Sequence, residues 1–223
     1  MRANFLRTLG SILLLGLAGS RVSCAELKEL QLPPVQVEGG KPLMQALKQR
    51  QTIREFKSDP LPAQSLANLL WAAFGINRPG TGHRTAPSAM NSQEVDIYVA
   101  LPEGVFLYDA GGSSLKPVFE GDLRSQAGSQ DFAKAPITLI YVADLTRLAK
   151  ADAQSRRFYA AFDTGCICQN VYLYCASAGL ATVVHELDRK PLETALKLRS
   201  EQQIIMAQAV GVPKVGITSR SAP

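Results

Sequence analysis

Residues 84–93 read RTAPSAMNSQ, a stretch in which one Arg, one Pro, two Ser, one Asn and one Gln crowd ahead of the alternating run EVDIYVAL. Such side chains do not pack a core. Pro87 biases its predecessor away from helix, Ser88 and Asn91 offer short donors and acceptors, and Gln93 can present an amide to the edge of a planar heteroaromatic ring. A polar loop feeding a buried strand is a common place for ligand contacts, and equally a place for a plain capping loop. Upstream, QRQTIREF sets Arg50 and Arg54 four residues apart, which would give them one face if the helix before them continues. Two guanidinium forks so placed either grip a phosphate through charge-assisted hydrogen bonds or form a solvated basic face. His83 lies in a Gly-rich loop and His185 in a strand-like segment, neither at a metal-ligand spacing. A satisfied structural role is the expectation for both, and no metal site is expected. No nucleophile elbow, zincin, dinucleotide or Walker pattern is present, so no residue is assigned as catalytic.

The elements that must position these residues follow from periodicity. KPLMQALKQR reads as a short helix with Pro42 as its first residue, and LPAQSLANLLWAAFG as a second, with Gly75 as a left-handed C-terminal cap. Val95, Ile97, Val99 and Leu101 alternate with Glu94, Asp96 and Tyr98, the period of a strand with one face buried. GVFLYD and SLKPVF form a hairpin across DAGGS, and ITLIYVADL is apolar enough for a central strand covered on both sides. The longest helix spans residues 156–178 and ends at Gly179. The strand-like LATVVHEL, the helix DRKPLETALKLR and the strand QIIMAQAVGVP complete the order. The pattern indicates an α+β fold, a mixed, mostly antiparallel sheet covered by helices.

Residues 1–24 stand apart from this order. Arg2 and Arg7 precede an apolar run over residues 9–18 that ends in small residues, a secretory signal pattern about half as long as the roughly 20 residues a bilayer span needs. Cleavage after Ser20 or Cys24 is expected, leaving an exported, periplasmic domain over residues 25–223 with no membrane span. A lipid anchor on Cys24 is the alternative, disfavoured by Arg21 where lipoprotein signals place an apolar residue. The segment holds three Arg and no acid, so the formal charge of +5 falls to +2 on its removal. With no basic stripe left, a nucleic-acid partner is not expected. Cys166, Cys168 and Cys175 fall inside one helical pattern, which suits buried thiols and neither a disulfide framework nor a zinc site.

Taken in order, RQTIREF, LANLLWAAFGIN, RTAPSAMNSQ, QNVYLYCASAGLATVV and AVGVPK resemble the FMN-dependent nitroreductase superfamily. They are similar above all to its small exported members and to dehydrogenases of the azoline-oxidase type, from about Leu43 to Pro213. The resemblance implies that Pro87, Ser88, Ala89, Asn91 and Gln93, with Met90 at a variable position, wrap the isoalloxazine ring. It implies that Arg50 and Arg54, with Gln51 between, hold the FMN phosphate and ribityl chain, and that Lys214 reaches the phosphate, Arg220 being the poorer candidate. Backbone amides of Val184, His185 and Glu186 would face the N5 and O4 edge of the ring. It further implies a homodimer with FMN at its interface, NAD(P)H as a candidate electron donor, and ping-pong hydride transfer through flavin N5 to small planar acceptors such as nitroaromatics or quinones. Two other readings stay open, a dehydrogenase that passes electrons from an organic substrate to quinone or oxygen, and a non-catalytic flavin-binding protein. This sequence departs from the pattern at Gln51, where many relatives have Arg or Ser, and at Glu94, where many have Pro. Its tail after Pro213 is also shorter than the arm that relatives wrap around a partner.

Overall fold

The computed structural model describes residues 27–128 and 132–214; the expected targeting segment, Cys24 and Arg220 lie outside them. Strand β1 (Leu30–Gln31) leads into helices α1 (Leu43–Gln49) and α2 (Ala63–Phe74), followed by a small ribbon of β2 (Ile76–Arg78) and β3 (His83–Arg84). Strands β4 (Val95–Ala100), β5 (Gly104–Asp109) and β6 (Ser114–Glu120) form a meander. Then come β7 (Ile137–Asp144), the 26-residue helix α3 (Ala153–Ala178), β8 (Ala181–His185), α4 (Arg189–Ala195) and β9 (Gln202–Gly211).

Seven strands pair in the order β1-β6-β5-β4-β7-β9-β8, every neighbouring pair antiparallel. The apolar run of β7 occupies an inner position, where all eight of its residues are buried. Its side chains alternate between two cores. Ile137, Leu139 and Tyr141 join Leu69, Leu70 and Phe74 of α2 and Ile167, Val171 and Cys175 of α3, while Ile140 and Val142 join Leu192 of α4 with Leu123 and Leu196. The sheet is therefore covered on both faces. That corrects the one-sided reading of β4, because Tyr98 and Ala100 pack into the second core and Glu94, expected toward solvent, is fully buried. A buried polar chain ties the inner strands together: the Tyr141 hydroxyl donates to Gln208 Oε1 at 2.7 Å, and Gln208 Nε2 donates to Thr182 Oγ1 at 3.0 Å.

Helix ends explain two further differences. Pro42 and Pro62 stand as N-caps just outside α1 and α2, and α3 begins earlier than its pattern suggests because Asp152 caps it, accepting from the amides of Gln154 and Ser155 at 3.0 Å. Gly179 closes α3 with φ 74, as expected of a left-handed cap. Gly75 does not cap α2 in that way; it is extended, with φ −72 and ψ 164. Its lack of a side chain serves a close approach instead, since a Cβ there would press on the Trp71 ring and lie 2.7 Å from Trp71 Cα. Helix α1 stops at Gln49, and Arg50 is already non-helical at φ −58 and ψ 120, so Arg50 and Arg54 share no helical face. Among the described residues, no helix is long and apolar enough to cross a membrane.

Candidate functional site

The candidate residues fall into two groups, each placed by a different part of the fold. The first lies along the outer edge of β8. Residues 50–57 run extended there, with the Ile53 amide donating to the Thr182 carbonyl at 3.1 Å and the Lys57 amide to the Val212 carbonyl at 2.9 Å. The Lys214 amide returns a bond to the Glu55 carbonyl at 3.1 Å, and buried Phe56 pairs with Pro213. This pairing sets Lys214 beside the neighbour of Arg54. Arg54, Gln51 and Lys214 are exposed, and neither Arg54 nor Lys214 has a carboxylate partner among the described residues. Arg50 lays its guanidinium over the Tyr172 ring, 5.3 Å from the centroid, and it too lacks a carboxylate there. Three cations without counter-charges form a surface suited to an anion.

Tyr172 is the hub of this edge. Its hydroxyl accepts from the Val184 amide at 3.0 Å and lies 3.2 Å from Thr52 Oγ1, joining α3, β8 and the extended segment. The Val184 amide is therefore engaged within the chain by Tyr172. Strand alternation puts the next outward amide at Glu186. The His185 side chain turns into the fold, where it stacks on Phe132 with centroids 4.5 Å apart. A Cβ at Gly128 would lie 2.5 Å from its Cε1, and burial lowers its pKa. His185 is thus a packed, neutral structural residue. His83 is tied through Nδ1 to Thr81 Oγ1 at 2.7 Å.

The second group is the loop 87–93. Met90, Asn91 and Gln93 all adopt left-handed backbone, with φ of 55, 53 and 47. Non-glycine residues hold such values only where their surroundings dictate them. Here those surroundings are hydrogen bonds. Ser88 Oγ accepts from the Gln93 amide at 2.9 Å, and Asp163 Oδ2 accepts from the Ala89 amide at 2.7 Å. Arg84 Nε donates to Gln93 Oε1 at 2.8 Å while its Nη1 holds the Phe74 carbonyl at 2.8 Å, tying the loop to the end of α2. Gln93 Nε2 donates to the Gly82 carbonyl at 3.0 Å and to Asn91 Oδ1 at 3.2 Å. Arg147 grips the Gln93 carbonyl at 2.9 Å and both carboxylate oxygens of Asp96. The Gln93 side-chain amide is thus held by bonds to Arg84, Gly82 and Asn91. The loop is a preformed shape.

Arg84, Arg147, Asp163 and Tyr172 are absent from the sequence-derived candidates. Two of them carried a signal: Arg84 opens the RTAPSAMNSQ stretch, and Asp163 is the sole acid of α3. Burial, with the Asp163 carboxyl beside it, pushes the Glu94 carboxyl up to about 7. Burial also raises the thiols, Cys168 to about 12, and all three are unpaired. Cys166 is only partly buried, unlike the other two, because it lines an open groove.

That groove, roughly 520 Å³, runs between Pro87 and the α3 residues Ala161, Phe162, Gly165, Cys166, Gln169 and Asn170. Its volume falls within the range of ligand pockets. A second groove of roughly 540 Å³ lies between α4 and the start of β9 and contains none of the candidates. Its arginines are already committed, Arg189 to the Ile204 and Ile205 carbonyls and Arg199 to Asp144. Asp163 and Tyr172 are nine residues apart, about two and a half helical turns, so they leave α3 on opposite flanks. Between those flanks runs an exposed stripe containing Phe158 and Phe162, whose rings stack at 6.5 Å. The cation edge and the polar loop of one chain are separated by this stripe.

The Nitroreductase family model matches residues 47–212. The chain is 32% identical over 166 residues to the nitroreductase-family protein MJ1384 of Methanocaldococcus jannaschii, covering 70% of this chain and 82% of that protein. A nitroreductase-family crystal structure from Ralstonia eutropha is 39% identical with a TM-score of 0.80, over 85% of this chain and 91% of that one. Another from Desulfovibrio desulfuricans, solved in complex with FMN, shares the fold at 19% identity and a TM-score of 0.58, over 83% and 94% of the two chains.

Proposed function

Because this chain belongs to the nitroreductase family of oxidoreductases, we propose that it is an FMN-dependent enzyme that moves hydride between a reduced donor such as NAD(P)H and small planar acceptors, nitroaromatics or quinones. The observation that carries the reading is the edge of three cations, Arg50, Arg54 and Lys214, with no carboxylate partner among the described residues, in a fold that also offers a preformed polar loop beside an open groove. These residues fit FMN by chemistry: guanidinium forks and an ammonium suit a phosphate, and a mainly apolar groove beside Pro87 suits a flat ring. FMN, when bound, supplies hydride acceptance and donation at ring N5. Arg50, Arg54 and Lys214 then hold the phosphate, and the backbone amide region at Glu186 polarises the ring edge. Phe162, Ala161 and Pro87 exclude water from the groove. Donor and acceptor take turns in the same place, which is the ping-pong order.

The opposite flanks of α3 support a homodimer. Leu43, Met44 and Leu47 of α1 and Phe158 and Phe162 of α3 expose 43–76% of their surface, an apolar face of a kind that in soluble proteins marks an interaction site. A second copy laid on this face sets its loop against the first copy's cation edge, completing a site that one chain leaves divided. The secretory pattern of residues 1–24 supports export to the periplasm. The test is a titration of the purified protein with FMN, followed anaerobically by NADH and then a quinone or nitro compound. Quenching of flavin fluorescence, bleaching and recovery of the flavin absorption are expected in that order; a protein that takes up no FMN defeats the reading.

A further inference from the structure

Glu94 follows the loop directly and is buried, and beyond its own backbone amide neither carboxylate oxygen has a hydrogen-bond donor among the described residues. A second buried carboxyl, that of Asp163 on α3, lies beside it and interacts with it. Two carboxylates are acceptors only, so this contact is satisfied only if one of them carries a proton. Asp163 Oδ2 is committed to the Ala89 amide of the loop at 2.7 Å. We propose that Glu94 and Asp163 share one proton as an acid pair that pins the loop 87–93 to α3, making both of them positioning residues for the flavin and making the loop's anchorage sensitive to pH. The inference deepens the FMN reading above, because the pinned loop is the one assigned to the ring.

The surrounding charges fit a single shared proton. Arg147, on the segment after β7, faces Glu94 and favours its ionised form, but Arg147 is already forked onto Asp96 of β4 and sits 3.9 Å from Asp144. Arg84 of β3 is spent on Gln93 and the Phe74 carbonyl. Asp144 adds a further negative charge at the end of β7, itself paired with Arg199. Among the described residues no uncommitted cation faces the pair, and burial raises the cost of charging both carboxylates. With the proton present, one carboxyl donates to the other and Asp163 keeps its bond to Ala89. Once the proton leaves, two like charges meet in a buried contact, and the separation that relieves them lifts the loop from the helix.

Amide hydrogen exchange of the FMN-free protein at pH 6.0 and 8.5, corrected for intrinsic rates, reads the anchorage without relying on the cofactor. Protection across residues 87–93 is expected to fall about tenfold or more between the two pH values. Glu94→Gln supplies a permanent donor to Asp163, and Asp163→Asn keeps an acceptor for Ala89 while donating to Glu94, so both variants are expected to hold protection constant. Asp163→Ala removes the acceptor and is expected to lose protection at both pH values. Wild-type protection that is equal at both pH values, or a fall that persists unchanged in Glu94→Gln, overturns the proposal. FMN titrations on the same samples separate the two readings: a loop that loosens with pH in a protein that never takes up FMN leaves the acid pair standing and removes the function.

Discussion

At the scale of single residues, the loop is held by hydrogen bonds among its own side chains and backbone and to Arg84 and Asp163, while the cation edge keeps charges without a carboxylate partner among the described residues. Arg54 has no intramolecular partner among the described residues, so its charge is available to a ligand. Arg54→Ala should weaken FMN binding by about 1.5–3 kcal/mol with little change in thermal stability, the size of a hydrogen bond to a charged group, as equilibrium titration would measure. Glu94 gives the opposite pattern, a residue that matters to folding through its proton. Its folded pKa of about 7 stands above the ordinary 4.5, so between those values the folded chain keeps a proton that the unfolded chain has lost. Stability therefore falls as pH rises through that window and levels off above it, by an amount of at most about 3 kcal/mol. His185, whose pKa is lowered by burial, works the other way below its ordinary 6.5, so the informative quantity is the difference between wild type and Glu94→Gln in urea unfolding at pH 5 and pH 8. A difference that does not change with pH would show that Glu94 carries no such proton. The loop's polar composition was legible in the sequence, and its wiring was not. Arg84, Arg147 and Asp163 reach Gln93 and Ala89 across 9 to 74 positions of chain, and no local pattern encodes pairings of that span.

At the scale of elements, periodicity located the strands and helices because burial imposes it, and it failed where an end is decided by a neighbour. The meander, the doubly covered β7 and the long α3 all follow their hydrophobic spacing. A shared face for Arg50 and Arg54 depends on helix α1 continuing, and it stops at Gln49, where residues 53–57 gain backbone partners at Thr182 of β8 and at Val212 just past β9 that a helix would forgo. Gly75 was read as a cap, and its actual reason is the Trp71 ring lying across it. Gly75→Ala should strain the end of α2 by about 1–3 kcal/mol, lowering the melting temperature by several degrees in calorimetry. If Ala were tolerated there with no loss, the Trp71 contact would not be what selects glycine. The apolar spacing of α1 was equally legible, but not that Leu43 and Leu47 stay largely exposed, since a sequence does not say whether an apolar face meets its own chain or another.

At the scale of the whole molecule, the division of the site across α3 means that the proposed homodimer and the proposed activity would depend on the same surface. Phe162→Glu places a charge in the middle of the exposed stripe and should shift the protein toward monomer in sedimentation velocity, with FMN affinity falling alongside; a variant that stays monomeric yet binds FMN as tightly would separate the two. The closed rims of the sheet have a consequence for how copies can meet. On one side β8 is covered by the extended segment through Ile53, and on the other β6 is covered at Ser114 and Leu115 by β1. The remainder of β6 carries Lys116 and Pro117, a charge and a residue with no N–H to offer. Strand addition, the route by which sheets grow into fibrils, thus finds poor footing at either rim, and in crowded surroundings other molecules would meet this protein through its helices instead.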